Sequence, residues 1–236
     1  LRNLPVWVSL SGQFDASAGL PRAGGLFLLA YFAGSIPTAQ LVARTFGRKD
    51  LRFVGSRTVS ATGVYYHVSR WLFWPVAAVD ILKVALPTWL GLELGVGRGA
   101  AALAGLIAVS GHCWPVWLGF RGGRGVTGFL GLWLVLFPPG AFWLLAGLVL
   151  GRLGVLVQTA AGTLAALATW PLVLSALGLP ADLILTAWAC LGLTVIKRLE
   201  ANRIGLPADP AARRRVLLNR LLWDRDVGPR EPWVER

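Results

Sequence analysis

There is no methionine in this chain of 236 residues, only two cysteines and two histidines, and just 14% of its residues are charged. Each scarcity removes a class of explanation. Cys113 and Cys190 stand singly in apolar stretches, without the spacing of a disulfide framework or a zinc site, so both are expected to be buried thiols. His67 and His112 are too few to complete a metal set. There is no HExxH and no GxxxxGK[ST] loop, so neither a metal nor another cofactor is expected. Acidic residues are also scarce, 11 against 23 Lys and Arg, which leaves a net charge of +12. Such a surplus could meet nucleic acid, but it is confined to loops flanking apolar runs. Membrane lipid head groups are therefore the expected partners and no nucleic acid is.

What the chain has in abundance is hydrophobic sequence, 56% of residues with a mean hydropathy of +0.63. It falls in long runs rather than narrow amphipathic stripes, which predicts an all-α, multi-pass transmembrane helical bundle. The runs cover about 26–43, 71–94, 99–118, 121–137, 141–157, 158–172 and 180–197, giving about seven crossings, or five if only two crossings lie between 126 and 197. Pro138, Pro139 and Gly140 mark an outer turn and Arg152 an inner one. Arg44, Arg48, Lys49, Arg52 and Arg57 follow the first run, so by the positive-inside rule that loop is cytoplasmic and the N-terminus lies outside. Residues 1–25, which begin with Leu1 and lack the order of a signal peptide, are read as an N-terminal extension given little weight, and 26–206 as the membrane domain. Residues 207–236 form a basic amphipathic cytoplasmic tail, with Leu217, Leu218, Leu221 and Leu222 on one face, as in a helix lying on an anionic leaflet.

Three polar clusters come to the cytoplasmic face. KDLRFVGSRTVSATG, residues 49–63, mixes cations with Ser56, Thr58, Ser60 and Thr62, a combination that suits phosphate oxygens or an ordinary inner loop. GHCWPVWLGFRGGRGV, residues 111–126, sets Arg121 and Arg124 among Gly122, Gly123 and Gly125, where backbone N–H groups can converge on an anion or merely turn the chain. IKRLEANR, residues 196–203, reads equally as a charged helix stop. Asp80 and Lys83 lie inside an apolar run at a spacing of three, on one helix face, which is either a functional pair or a structural ion pair.

Taken together, GSIPTAQLVAR, KDLRFVGS, SATGV, DILKVALP, GHCWPVWLGFRGGRGV and KRLEAN resemble the bacterial membrane acyl-phosphate:glycerol-3-phosphate acyltransferases of the PlsY type, over about 26–204. The resemblance implies seven helices, a cytoplasm-facing site in the bacterial inner membrane, and transfer of a fatty acyl group from acyl phosphate to the 1-hydroxyl of glycerol 3-phosphate. Lysophosphatidic acid for phospholipid synthesis would be the product. Against the family's Gly-Ser-Gly-Asn-x-Gly-Ala-Thr-Asn this chain keeps Gly55, Ser56 and Thr62, with Arg57 at a glycine and Thr58 and Gly63 at the two asparagines. Tyr66 stands at the family's arginine, Arg124 at its lysine and Leu199 at its histidine, while His112 and Asn202 match and Thr159 takes a serine position.

An acyl phosphate is already an activated anhydride, so positioning and charge neutralisation can carry the rate without a covalent intermediate. On this reading Arg52, Arg57 and Arg124 are expected to hold phosphate groups, and Ser56 and Thr62 to orient glycerol 3-phosphate. Gly122, Gly123, Gly125, Thr159 and Asn202 are further binding positions, and His112 is a hydrogen-bond donor or structural group rather than a general base. The alternative is a catalytically altered or inactive paralogue that binds lipid phosphate or supports a membrane partner.

Overall fold

The computed structural model describes residues 16–155 and 158–228, and among them every regular element is helical. In chain order these are α1 (Ala16–Ser35), α2 (Thr38–Gly47), α3 (Ala61–His67), α4 (Phe73–Glu93), α5 (Arg98–Cys113), α6 (Val126–Leu136), α7 (Pro138–Arg152), α8 (Thr159–Ala176), α9 (Ala181–Glu200) and α10 (Pro210–Trp223). Each apolar run read from the sequence carries one helix except the first, 26–43, which is broken between α1 and α2. Among the described residues, four stretches are long and apolar enough to cross a membrane: 22–47, 73–93, 98–118 and 159–176. Residues 1–15 of the N-terminal extension lie outside the described residues, and 16–25 belong to α1.

Sequence explains the breaks. Ile36 precedes Pro37, which disfavours helical backbone at Ile36, so α1 stops there and α2 restarts at a new angle. The interruption frees the Ile36 carbonyl, which accepts from the buried Lys83 Nζ at 2.9 Å. Pro138 opens α7, where its missing N–H costs nothing.

The bundle is turned inside out relative to a water-soluble protein. Small residues line its contacts and large apolar ones such as Leu28, Phe32, Trp74 and Leu185 face outward. Close approach needs glycine where α1 meets α5: a Cβ on Gly34 would stand 1.9 Å from the Ala108 carbonyl oxygen. α6, 11 residues long, is central. Phe129, Leu132, Trp133 and Leu136 are all buried, and Trp133 meets Trp170 of α8 edge-to-face at 5.8 Å.

The ends of the bundle differ. At one, Arg98 at the start of α5 grips Asp182 in the first turn of α9 through two bonds, 2.6 and 2.8 Å. The other gathers the C-terminal ends of α1, α5 and α9, the start of α8, the 48–60 loop and the 114–125 turn. Exposed Arg44, Arg48, Arg57, Arg152, Arg203 and Arg213 all lie at or beside that end.

Candidate functional site

The 48–60 loop is built by local capping. Asp50 accepts from the Arg52 backbone N–H and starts a short helical turn, while Gln40 of α2 accepts from the buried Leu51 N–H at 3.0 Å. Ser60 caps α3 by accepting from Gly63 N–H, so one of the four hydroxyls read as a phosphate set is structural. Ser56 and Thr58 are hydrogen-bonded to each other, and Thr62 is exposed on the first turn of α3. Arg57 is exposed, with its backbone in the left-handed region at φ 54°. Arg52 is committed locally: its Nε and Nη2 reach the two Asp50 oxygens at 3.0 and 2.7 Å. Those bonds hold the Asp50 carboxyl well below the usual carboxylate range and raise Arg52.

The glycine turn differs from an open anion nest. The N–H groups of Gly122 and Gly123 donate back to the Cys113 and His112 carbonyls at 3.2 and 3.1 Å, fastening the turn beneath the end of α5. Gly123 is required there because a Cβ would lie 2.0 Å from His112 Nε2 and 2.8 Å from the Val59 carbonyl oxygen. Gly125, at φ 80°, starts α6. His112 is buried under this turn with Nδ1 3.7 Å from Asp80 Oδ1.

Asn202 draws the three clusters together. At φ 54° past the end of α9, it donates from Nδ2 to the carbonyls of Arg57 at 2.7 Å and Gly122 at 3.1 Å. Its Oδ1 is buried without a hydrogen-bond partner. Arg124 joins the same junction, donating from Nη1 to the Lys197 carbonyl at 2.9 Å and pairing through Nε with Asp224 at 2.8 Å. Thr159 begins α8 at this end with its side chain exposed, beside Ala160, whose carbonyl accepts from Arg198 at 2.8 Å.

Lys197, the Ser35 and Thr38 hydroxyls, and Asp224 were not singled out from sequence as site residues, whereas Asp80 and Lys83 were. Lys197 is fully buried, bonded to Glu200 at 2.9 Å and 4.8 Å from the Trp114 ring centroid. Ser35 and Thr38 flank the α1–α2 break and, with Asp80, Lys83, His112 and Gly122, line a small cavity under the turn. The Ser35 and Thr38 hydroxyls have no hydrogen-bond partner there. Asp80 pairs with Lys83 at 2.8 Å, both buried, which realises the i, i+3 spacing of the sequence. Asp224 lies in the tail. The legible signal for the break was Ser-Ile-Pro; the burial of Lys197 and the reach of Asp224 had none.

The tail packs against the bundle. Arg220 of α10 is buried, bonding Asp226 at 2.6 Å and the carbonyls of Leu199 and Ile204 at 3.1 and 3.0 Å. Leu217 and Leu221 are half-buried, while Leu218 and Leu222 remain exposed. Among the described residues no group of three or more His, Cys, Asp or Glu is placed to hold a metal ion.

A bundle of helices with large apolar side chains facing outward, and with arginines gathered at one end around a glycine turn, defines the class as a multi-pass integral membrane protein. The comparisons narrow it. A family model described as "Glycerol-3-phosphate acyltransferase" matches residues 25–206. The glycerol-3-phosphate acyltransferase of Jannaschia sp. (strain CCS1) is 37% identical over 188 residues, 78% of this chain and 89% of that one. That of Methylorubrum extorquens (strain PA1) is 38% identical over 164 residues, 69% of this chain and 79% of that one. The crystal structure of PlsY, an integral membrane glycerol 3-phosphate acyltransferase, in its glycerol 3-phosphate form superposes with a TM-score of 0.69 at 29% identity, over 87% of this chain and 94% of that chain. Its lysophosphatidic acid form gives 0.68 at 25% identity, with the same coverage. The chain belongs to the glycerol-3-phosphate acyltransferase family.

Proposed function

We propose that the protein acylates glycerol 3-phosphate at its 1-hydroxyl, with acyl phosphate as donor, releasing lysophosphatidic acid and inorganic phosphate. The observation that carries this reading is the convergence on Asn202: one buried amide joins the 48–60 loop and the glycine turn at the end of α9. In the reaction the hydroxyl oxygen forms the ester bond to the acyl carbon, the anhydride C–O bond breaks, and the hydroxyl proton leaves with phosphate. Because the donor is activated, the site has to bring two anionic substrates together and neutralise them.

The residues divide that work. Arg57, exposed on the loop, and Arg124 in the turn supply charge to phosphates, and Arg52 contributes less because Asp50 compensates it. Ser56 and Thr62 meet glycerol 3-phosphate at the loop. The unpartnered oxygens of Asn202, Ser35 and Thr38 are suited to its hydroxyls, since buried polar atoms gain most from a new partner. Gly122, Gly123 and Gly125 shape the turn, His112 supports it from below, and Thr159 closes the rim. The orientation follows from charge: the arginine-rich end is cytoplasmic, seven helices cross the membrane, and the N-terminus is outside.

The test is direct. Purified protein incubated with acyl phosphate and radiolabelled glycerol 3-phosphate forms labelled lysophosphatidic acid. No product above a protein-free control overturns the reading in favour of a non-catalytic paralogue.

A further inference from the structure

The family match ends at residue 206, yet the segment beyond it reaches back into the site. α10 is capped by Asp209, which accepts from Ala212 N–H at 2.7 Å, and ends at Asp224 in a left-handed turn, φ 56°. Arg220 locks it down: it is buried, and its partners are the Asp226 carboxylate and carbonyls of the chain following α9. Arg198 of α9 adds a bond to the Leu221 carbonyl at 2.6 Å. A helix terminus held by two buried arginines is fixed in place. What it presents to the glycine turn is the Asp224 carboxylate, 2.8 Å from Arg124 Nε.

We propose that Asp224 is a positioning residue of the acyl-transfer site, holding the Arg124 guanidinium in the orientation that receives a substrate phosphate. This rests on the acyltransferase reading given above. Arginine has five N–H donors in a rigid fork, whereas lysine has three on a rotating ammonium. Arg124 spends donors on Asp224 and on the Lys197 carbonyl, which fixes the plane of the fork from two sides, and still has others for an anion. A lysine could not be held at two points and retain such a geometry. The arginine at a family lysine position and the carboxylate beyond the family match therefore form one unit. The carboxylate does not cancel the local charge, because Arg198 lies beside the pair and its hydrogen bonds go to the Leu221 and Ala160 carbonyls.

The experiment uses the full chain in detergent and reads two quantities, the KM for glycerol 3-phosphate and the rise in thermal midpoint caused by inorganic phosphate. Asp224→Asn keeps the shape and loses the charge. It raises KM about five- to tenfold, less than the one to two decades that outright loss of a charge-assisted contact would cost, because the guanidinium is misdirected rather than removed, with kcat changed less. It also abolishes most of the phosphate-induced rise. Asp224→Glu recovers part of both. Arg220→Ala, which undocks the tail without touching Arg124, reproduces the Asn variant, and Arg214→Ala, on the exposed face of α10, matches wild type. In an Arg124→Lys background Asp224→Asn adds nothing further. An Asn variant with wild-type KM and wild-type phosphate response makes Asp224 a spectator, and a lowered KM makes it a competitor for the site; either result overturns the proposal. Wild-type protein that shows phosphate stabilisation without turnover overturns the acyltransferase reading alone, and the second readout then still decides the role of Asp224. Wild-type protein with neither response overturns both.

Discussion

Asn202 donates from its side-chain amide to the backbone carbonyl of Arg57 at 2.7 Å, across 145 residues of chain. With its second bond to Gly122 it clamps the two loops that carry the cations. Asn202→Gly removes the clamp while suiting the left-handed backbone, and is expected to cost roughly 1–3 kcal/mol as two buried carbonyls lose a donor. Asn202→Ala adds about 1 kcal/mol for a Cβ in that conformation. Asn202→Asp is the most damaging, because it sets carboxylate oxygens against carbonyl oxygens. Denaturation midpoints in detergent order the variants; an Asp variant as stable as Gly would refute the clamp.

Arg57 occupies left-handed backbone at φ 54°, where the resembling motif has glycine. Arg57→Gly is expected to stabilise by about 0.5–1 kcal/mol, relief of backbone strain outweighing the extra freedom of the unfolded chain. That corresponds to a midpoint higher by about 1–4 °C. If the exposed guanidinium serves a phosphate, the same variant loses affinity for glycerol 3-phosphate. A variant that is more stable and equally active would remove Arg57 from the site.

The membrane helices were legible because apolar runs act locally: Pro138 opens α7, and Asp80 and Lys83 pair across one turn. The break at Ser35-Ile36-Pro37 lies inside what reads as one run, 26–43, because a single proline in so apolar a stretch is also compatible with a kinked helix. The site was legible only in outline. That the N–H groups of Gly122 and Gly123 are consumed by α5 carbonyls depends on where α5 ends in space. The tail misled in a more informative way: its leucines repeat as on a membrane-surface helix, yet Arg220 is its most buried side chain. An arginine goes inside when unpaired carbonyls await it, and the carbonyls of Leu199 and Ile204 belong to a different stretch of chain. Pairings such as Arg124 with Asp224, 100 residues apart, leave no local pattern.

Strong acid should loosen the 48–60 loop. Hydrogen bonds from Arg52 depress the Asp50 carboxyl in the folded state. Its stabilising contribution is therefore complete above the unfolded value of about 4 and is lost as pH falls through the lower folded value. Asp50→Asn should flatten the fall in thermal midpoint below about pH 4. His67 gives a separate step: burial, then Lys49, lowers it, so the unfolded chain takes up its proton first and stability declines as pH drops below about 6.5. His67→Gln removes that step. Unaltered midpoint profiles for both variants would show that neither group is linked to folding.

Orientation can be read by labelling single cysteines, and the structure chooses the positions. Cys113 and Cys190 are buried, so native background is low. Gly123 is unsuitable because any Cβ collides with His112. Exposed Arg57, Arg203 and Arg214 span the three segments of the site end. Cysteines at all three should react only with reagents that enter the cytoplasm. Labelling of any one from outside intact cells would invert the proposed topology.

Arg124 separates a substrate role from a purely structural one. Its bonds to Asp224 and the Lys197 carbonyl tie the glycine turn to α9 and the tail, so Arg124→Ala should lower the thermal midpoint even if no phosphate ever binds. A phosphate role adds a further loss of roughly 1.5–3 kcal/mol for a charge-assisted contact. At about 1.4 kcal/mol per tenfold, that is one to two decades in kcat/KM at matched folded amounts. Arg124→Lys discriminates between the two. The ammonium keeps the charge but cannot hold both internal partners in a planar fork, so it should lose as much stability as Ala while retaining more turnover. Lys and Ala variants with equal kcat/KM would mean that the charge of this residue does not reach the substrate, leaving Arg124 as a strut of the turn.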